Sequence, residues 1–301
     1  MESSRIAVIG AGLMGHGIAY LFAAGGHEVR VQDPAAAARE QLPQRLRDIC
    51  DLLGADRAVA ERVTAGESIE WAAAGAGIVI EAALEQLPLK QAIFAELERV
   101  APADAILASN TSALPITRIA ADLKSKPRVL GSHFWNPPHL VPLVEIVLMG
   151  PENGPAADRL AGVLRTIGRH PVLVHRDIPG FIGNRLQHAM KREAIALVAS
   201  GVCDAETIDD VVKQGFGARL GVLGPLEQSD LVGLDLTQNI HDTLIPDLDV
   251  TPTTHPYLKA LVEKGDLGMK TGKGFRQWTP EQAEAVRNRL RRALVAGARR
   301  S

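Results

Sequence analysis

The chain has almost no cysteine. Two in 301 residues, Cys50 and Cys203, supply neither a disulfide framework nor a thiolate metal cluster, and they suit a reducing, cytoplasmic compartment. A metal site is therefore not expected. A dominant charge sign is missing as well. With 33 Lys and Arg against 35 Asp and Glu, the formal net charge is −2, which points to neither nucleic acid nor an anionic membrane as partner. The basic tail from Arg287 to Arg300 reads as a solvated helix face. Long apolar runs are absent too. The stretch from Ile6 to Gly26 is broken by six glycines and a histidine and has no basic segment before it, which argues against both a membrane span and a signal peptide. No Gly-Lys-Ser/Thr follows its glycine-rich turn, so phosphoryl transfer of the P-loop kind is disfavoured. What remains is 46% hydrophobic and 23% charged, an ordinary globular composition with length for two domains.

The N-terminus carries the strongest local signal. Arg5-Ile6-Ala7-Val8-Ile9 is a β-branched apolar run, Gly10-Ala11-Gly12-Leu13-Met14-Gly15 follows at once, and a Pro-free apolar helix pattern comes next. Strand, glycine-rich turn and helix in that order are the setting in which G-x-G-x-x-G means dinucleotide binding. Gly10 allows the tight turn, Gly12 lets backbone approach a pyrophosphate, and Gly15 lets helix pack on strand. Leu13 and Met14 complete the expected contacts at the helix N-terminus. A second strand, Glu28 to Asp33, ends in an acid 18 residues after Gly15. Asp33 there would accept hydrogen bonds from ribose hydroxyls and repel a 2′-phosphate, so NAD is expected over NADP. The alternative is a solvated Asp opening the turn at Pro34.

Further strand runs are expected at Gly77–Glu81, Ala105–Ser109, Arg128–Ser132 and Leu143–Val147, alternating with helical spacing such as Lys90 to Val100. That alternation predicts a doubly wound, mainly parallel α/β Rossmann domain over residues 1–177, with ligands beyond the carboxyl ends of its strands. After Asp177-Ile178-Pro179-Gly180 the pattern turns helical and no run beyond Val174 reads as strand. An all-α domain over 178–301 is expected, serving substrate binding and a homodimer.

Three polar features fall at strand ends or inside strands. Taken alone, Ser109-Asn110-Thr111-Ser112 reads more readily as a helix N-cap than as a site. His133 follows the strand Val129–Gly131. Glu145 interrupts the apolar run Leu-Val-Glu-Ile-Val. A buried carboxylate needs a partner, and His133 lies twelve residues upstream across a Pro-rich loop. A histidine oriented by a buried acid is a general-base arrangement; a satisfied core histidine is the plain alternative.

Taken in order, Gly10–Gly15, Glu81–Glu85 with Lys90, Ser109–Ser112, His133–Pro137, Leu143–Glu145, Pro179–Arg185 and Lys270–Phe275 resemble the 3-hydroxyacyl-CoA dehydrogenase family along nearly the whole chain. The resemblance implies His133 as general base, Glu145 as its orienting partner, and Ser112 and Asn184 holding the substrate oxygen. It also implies that Glu85, Lys90, Asn110 and Lys270 contact the cofactor. The activity implied is oxidation of a 3-hydroxyacyl substrate to the 3-oxo compound by hydride transfer to NAD.

Two departures from the family pattern concern the substrate. Where the family carries a Ser and several Lys for coenzyme A, this chain has Leu46 to Leu53 with Asp48 and Asp51, accompanied by Arg45, Arg47 and Arg57. The segment Gly215 to Pro225 is longer than the family norm, and with Arg219 it resembles branches that oxidise free hydroxy acids. Asn136 to Pro142 and Trp278 to Gln282 resemble a branch acting on a pyridine-carboxylate alcohol or aldehyde. Arg219 or His139 would then pair with a substrate carboxylate; a surface arginine and a loop histidine are the plain alternatives. A CoA thioester is the first expectation and a free hydroxy acid or aromatic carboxylate alcohol the second. A non-catalytic NAD-binding protein is the third, and it would have no use for a buried Glu145 beside His133.

Overall fold

A computed structural model describes residues 5–298. The chain divides into two compact units, Met1–Arg185 with Leu290–Ser301, and Leu186–Arg289.

The first unit is a layered α/β body. Its elements run β1 (Arg5–Ile9), α1 (Gly15–Ala24), β2 (Val29–Gln32), α2 (Ala36–Leu53), β3 (Val63–Gly66), α3 (Ile69–Ala73), β4 (Ala76–Glu81) and α4 (Leu87–Val100). Then come β5 (Ile106–Ser109), α5 (Ile116–Ile119), β6 (Val129–Phe134), β7 (Leu143–Val147), α6 (Gly154–Thr166) and β8 (His170–Val174). The strands form one sheet in the order β3-β2-β1-β4-β5-β6-β7-β8. All neighbouring pairs are parallel except β6 and β7, which run antiparallel. The order reverses at β1, between β2 and β4, and that switch point opens a crevice at the carboxyl ends of the strands.

Strand alternation explains the two cores. Ile6 and Val8 point to one face, against α1, α2 and α6, while Ala7 and Ile9 point to the other, against α3, α4 and α5. Strands buried on both faces need continuous apolar runs, which is why β1, β4 and β6 stand out in the sequence. Full burial of side chains such as Phe22, Leu97 and Ile80 contributes about 1.5–3 kcal/mol each.

Two edge strands carry no such signal. β3 is four residues with exposed Thr64 and Ala65. β8 holds Pro171 and is buried only at Val174; proline is tolerated there because the outer side of an edge strand needs no ladder donor. β6 also extends past the expected strand to include His133 and Phe134.

The boundary between the units falls inside α7 (Gly183–Ala199). The second unit continues with α8 (Ala205–Gln214), α9 (Pro225–Val232), α10 (Leu234–Leu244), α11 (Pro256–Glu263) and the start of α12 (Pro280–Ala298). It contains helices and short turns, with isolated bridges at Gly268, Lys273 and Gln277. Among the described residues, no helix is long and apolar enough to cross a membrane.

The glycines of the first turn separate two kinds of constraint. A Cβ on Gly15 would overlap the Gly10 carbonyl oxygen, whereas one on Gly12 would meet nothing within 4 Å. We expect Gly15→Ala to lose about 1–3 kcal/mol through overpacking. Gly12→Ala should unfold like the wild type yet bind NAD more weakly, because its space lies on the ligand side. Thermal melts with and without NAD check both expectations.

Candidate active site

The cofactor cradle begins where β1 ends. Gly10 adopts φ +102°, and a Cβ there would lie 2.8 Å from the Ala82 carbonyl oxygen, so only glycine brings this turn so close to the end of β4. Gly12 and Leu13 are exposed and Met14 is the N-cap residue of α1, leaving backbone N–H groups of the helix N-terminus available to an anion. The turn is braced from behind. Arg45 Nη1 donates to the Ala11 carbonyl at 3.1 Å, and His16 Nδ1 donates to that of Gly12 at 2.7 Å.

Asp33 follows β2 directly. Its Oδ2 accepts from Ala11 N at 2.8 Å and its Oδ1 from Ala35 N at 2.9 Å. The carboxylate is only half-buried and keeps lone pairs for ribose hydroxyls. Arg39, the nearby cation, is committed elsewhere. Its Nη1 donates to the Asp33 and Pro34 carbonyls at 2.7 and 3.0 Å, and Nη2 lies 3.7 Å from Glu67. An unphosphorylated adenosine ribose fits this end of the cradle.

His133 and Glu145 are directly opposite in the antiparallel β6–β7 pair. Opposite residues share a sheet face, so the register alone brings their side chains together. His133 Nδ1 donates to Glu145 Oε2 at 2.7 Å, with both side chains buried. The other oxygen, Oε1, accepts from the N–H groups of Ile182 and Gly183 at 3.0 Å each. Burial on its own would raise the Glu145 pKa. The hydrogen bond from His133 and the two backbone donors outweigh it and hold the carboxyl below its usual value. An ionised Glu145 fixes the Nδ1–H tautomer, which leaves the Nε2 lone pair of His133 free to take a proton. Trp135 and Phe181 flank the imidazole, with ring centroids 5.3 and 5.7 Å away.

The loop after β5 is held by carboxylates from the β4–α4 segment. Glu85 Oε1 accepts from Thr111 Oγ1, from Ser112 N at 3.0 Å and from Ala113 N at 3.2 Å. Burial opposes this ionisation, but those donors and the charge of Lys90 prevail and lower the Glu85 pKa. Ser112 is exposed, and its carbonyl accepts from Asn184 Nδ2 at 2.8 Å, so the structure brings these two residues together. Asn110 Oδ1 accepts from Phe134 N at 2.9 Å, tying the loop to the strand that carries His133.

Lys90 is 1% exposed. Its ammonium donates to both oxygens of Glu81 at 2.7 and 2.9 Å and lies 3.3 Å from Glu85, so its charge is answered inside the protein. Glu81, fully buried, also accepts from Ser109 Oγ and from Ala83 N. The sequence reading gave Glu81 no role, although an acid closing the apolar run Gly77–Ile80 is the same signal that singled out Glu145. Trp135 and Phe181 were missed for a different reason: aromatic residues carry no local mark of what they touch.

His139 is packed on α1. A Cβ on Gly17 would lie 3.1 Å from its Nδ1, and its ring meets Tyr20 edge-on at 6.5 Å. Burial, with lesser contributions from His16 and Arg169, pushes its pKa down to about 4, so it is neutral near pH 7 and lacks the charge to pair with a carboxylate. Lys270 and Arg219 lie exposed in the second unit. Among the described residues, no group of three or more His, Cys, Asp or Glu could hold a metal ion.

A dinucleotide cradle and a histidine–carboxylate pair, both carried on one doubly wound sheet, define a class: NAD-dependent dehydrogenases acting on a hydroxyl-bearing carbon. The chain belongs to the 3-hydroxyacyl-CoA dehydrogenase family. Residues 5–178 match the family's NAD-binding domain and residues 180–278 its C-terminal domain. It is 35% identical to 5-formyl-3-hydroxy-2-methylpyridine 4-carboxylate 5-dehydrogenase of Mesorhizobium japonicum, over 97% of this chain and 96% of that one. A crystal structure of an enzyme of that name, described as an NAD+-dependent dismutase, superposes with a TM-score of 0.89 at 34% identity, covering 97% and 96% of the two chains. A probable 3-hydroxybutyryl-CoA dehydrogenase of Bacillus subtilis is 37% identical over 91% of this chain and 97% of its own.

Because Glu145 is ionised below its ordinary pKa, its contribution to stability is complete above the unfolded value of 4.5 and is lost as pH falls through the lower folded value. Denaturant melts of the wild type should therefore weaken on acidification below pH 4.5. Glu145→Gln should start about 1–3 kcal/mol lower at neutral pH and show a shallower acid dependence.

Proposed function

We propose that this enzyme uses NAD to oxidise a hydroxyl-bearing carbon of a substrate with a free carboxylate, and that His133 is the general base. The observation that carries the reaction is the buried His133–Glu145 pair at 2.7 Å. His133 Nε2 takes the hydroxyl proton, and ionised Glu145 stabilises the imidazolium that forms. Bound NAD, held by the Gly10–Gly15 turn and Asp33, supplies the hydride acceptor. Ser112 and Asn184, already joined through the Ser112 carbonyl, hold the substrate oxygen. Glu85 fixes the loop that presents Ser112. Lys90 and Asn110 support the cofactor side by ordering the same loop, and the family resemblance adds Lys270 as a cofactor contact.

The substrate class rests on α2. This helix has no lysine, and its arginines are already engaged. Arg39 bonds the Asp33 segment, Arg45 bonds Ala11 and Gln41, and Arg47 bonds Gln44. Asp51 and Arg57 form a two-point pair at 2.7 and 2.8 Å. A polyanionic coenzyme A nucleotide would meet Asp48 and Asp51 with little free cationic charge to hold it. The likeness to a pyridine-carboxylate dehydrogenase, 35% identical over 97% of this chain, supports the same choice, and Arg219 is the carboxylate anchor we favour. A 3-hydroxyacyl-CoA substrate is the second reading, supported by the relatives named for it.

We further propose a cytoplasmic homodimer formed through the helical unit. Among the described residues of that unit only Ala283 is buried, while Leu226, Leu231, Leu234 and Leu244 are exposed. Helices that present so much apolar surface need a covering surface, and an isologous second copy supplies one.

His133→Gln should abolish turnover while leaving NADH affinity within about twofold. Retained turnover would remove the dyad assignment. Wild type should turn over carboxylate-bearing alcohols or aldehydes and not 3-hydroxybutyryl-CoA, and Arg219→Ala should raise the KM for the carboxylate substrate. Robust thioester turnover insensitive to Arg219→Ala would favour the second reading. Light scattering of the purified protein should give twice the 32.1 kDa chain mass.

A further inference from the structure

The turn between Pro179 and Gly183 holds its backbone in a conformation that local sequence does not favour. Phe181 has φ +52°, the left-handed region, which costs a bulky L-residue about 1–2 kcal/mol. It is the non-glycine residue at positive φ among the described residues. Such strain persists only where surrounding contacts over-determine it.

Those contacts converge on the dyad. The Phe181 ring is fully buried and lies 5.7 Å from the His133 imidazole. Trp135 flanks the imidazole at 5.3 Å, and a Cβ on Gly183 would overlap the Trp135 ring. The next two N–H groups, of Ile182 and Gly183, both donate to Glu145 Oε1. Just upstream, Asp177 Oδ2 accepts from Thr117 N and Thr117 Oγ1 at 2.7 Å each, which fixes the entry to the turn. Glu145 therefore bonds the base through one oxygen and the turn through the other.

We infer that Phe181 is a positioning residue for the reaction: its left-handed backbone, locked by Glu145, packs its ring on His133 and fixes the plane of the imidazole. The direction of the Nε2 lone pair follows from that plane, since Nδ1 is held by Glu145 and the ring can otherwise rock about that bond. Small angular errors in a proton acceptor are costly because the reaction needs a near-attack geometry. Loosening the turn also takes two donors from Glu145 and admits water to the imidazole. Both changes loosen the hold on the imidazole that sets this direction. This inference rests on the reading of His133 as base.

The test compares wild type, Phe181→Leu, Phe181→Gly and His133→Gln as full chains, using NADH-linked turnover of a carboxylate substrate. Phe181→Leu keeps bulk and strain but loses the ring, and Phe181→Gly relaxes both. NADH affinity by fluorescence should stay within about twofold in all of them. We expect kcat to fall about tenfold in Phe181→Leu and further in Phe181→Gly, with KM changed much less than kcat. Folded variants with wild-type kcat would overturn the inference. Turnover retained in His133→Gln would instead overturn the base assignment, and the inference with it. Should the Phe181 variants fail to fold, amide exchange in the wild type decides. Ile182 and Gly183 N–H exchanging as slowly as those of β6 and β7 supports the locked turn, and exchange at exposed-loop rates sinks it.

Discussion

The structure depends on one buried negative charge. An isolated carboxylate in a low-dielectric core is so costly that it would ordinarily take up a proton. Glu145 avoids this because each of its oxygens has hydrogen-bond donors: the imidazole on one side and two backbone N–H groups on the other. The antiparallel pairing of β6 with β7 is part of the same solution, since it places His133 in register with Glu145. A parallel crossover would have needed a long connection at that point. The one inverted pair in an otherwise parallel sheet thus sits where the histidine–carboxylate pair is.

A second buried charge system stiffens the neighbouring loop. Glu81, at the end of β4, neutralises Lys90 on α4, and Lys90 in turn steadies Glu85. Buried ion pairs of this kind add little net stability, but they are expensive to break on one side. Their effect here is geometric. Through Ser109, Thr111 and the N–H of Ser112, the two glutamates define the path of a loop too short to form a helix of its own. A polar cluster that first looks like a capping motif is instead a surface held from below by two carboxylates.

Much of this is legible in the amino-acid sequence. Rossmann topology followed from strands buried on both faces and from glycines whose missing side chains are the point. Glu145 was legible because a charge inside Leu-Val-Glu-Ile-Val violates the local pattern, and the violation had to be answered by a partner. The edge strands β3 and β8 were not, since a half-exposed strand of four or five residues needs no continuous apolar run and β8 tolerates Pro171. Phe181 was invisible for a deeper reason. Its significance lies in a backbone angle and a ring contact, and both are set by segments distant in sequence. His139 shows the converse. A loop histidine looked available for a carboxylate, yet its pKa is pushed down to about 4 by packing that only the folded loop reveals.

The packing of that loop on α1 also limits how the chain can vary. Pro138 Cγ stands 2.6 Å from where a Cβ on Gly17 would be, and the His139 ring rests against Tyr20. Helix α1 presents the pyrophosphate turn, and the loop returns the chain from the strand bearing His133. The supports for the dinucleotide turn and for His133 therefore touch at a surface with no spare volume. Enlarging either side would displace a whole rigid element, because close-packed interiors transmit strain. Drift in this region is thereby confined to paired, compensating changes: a bulkier helix residue is admissible only with a smaller loop residue.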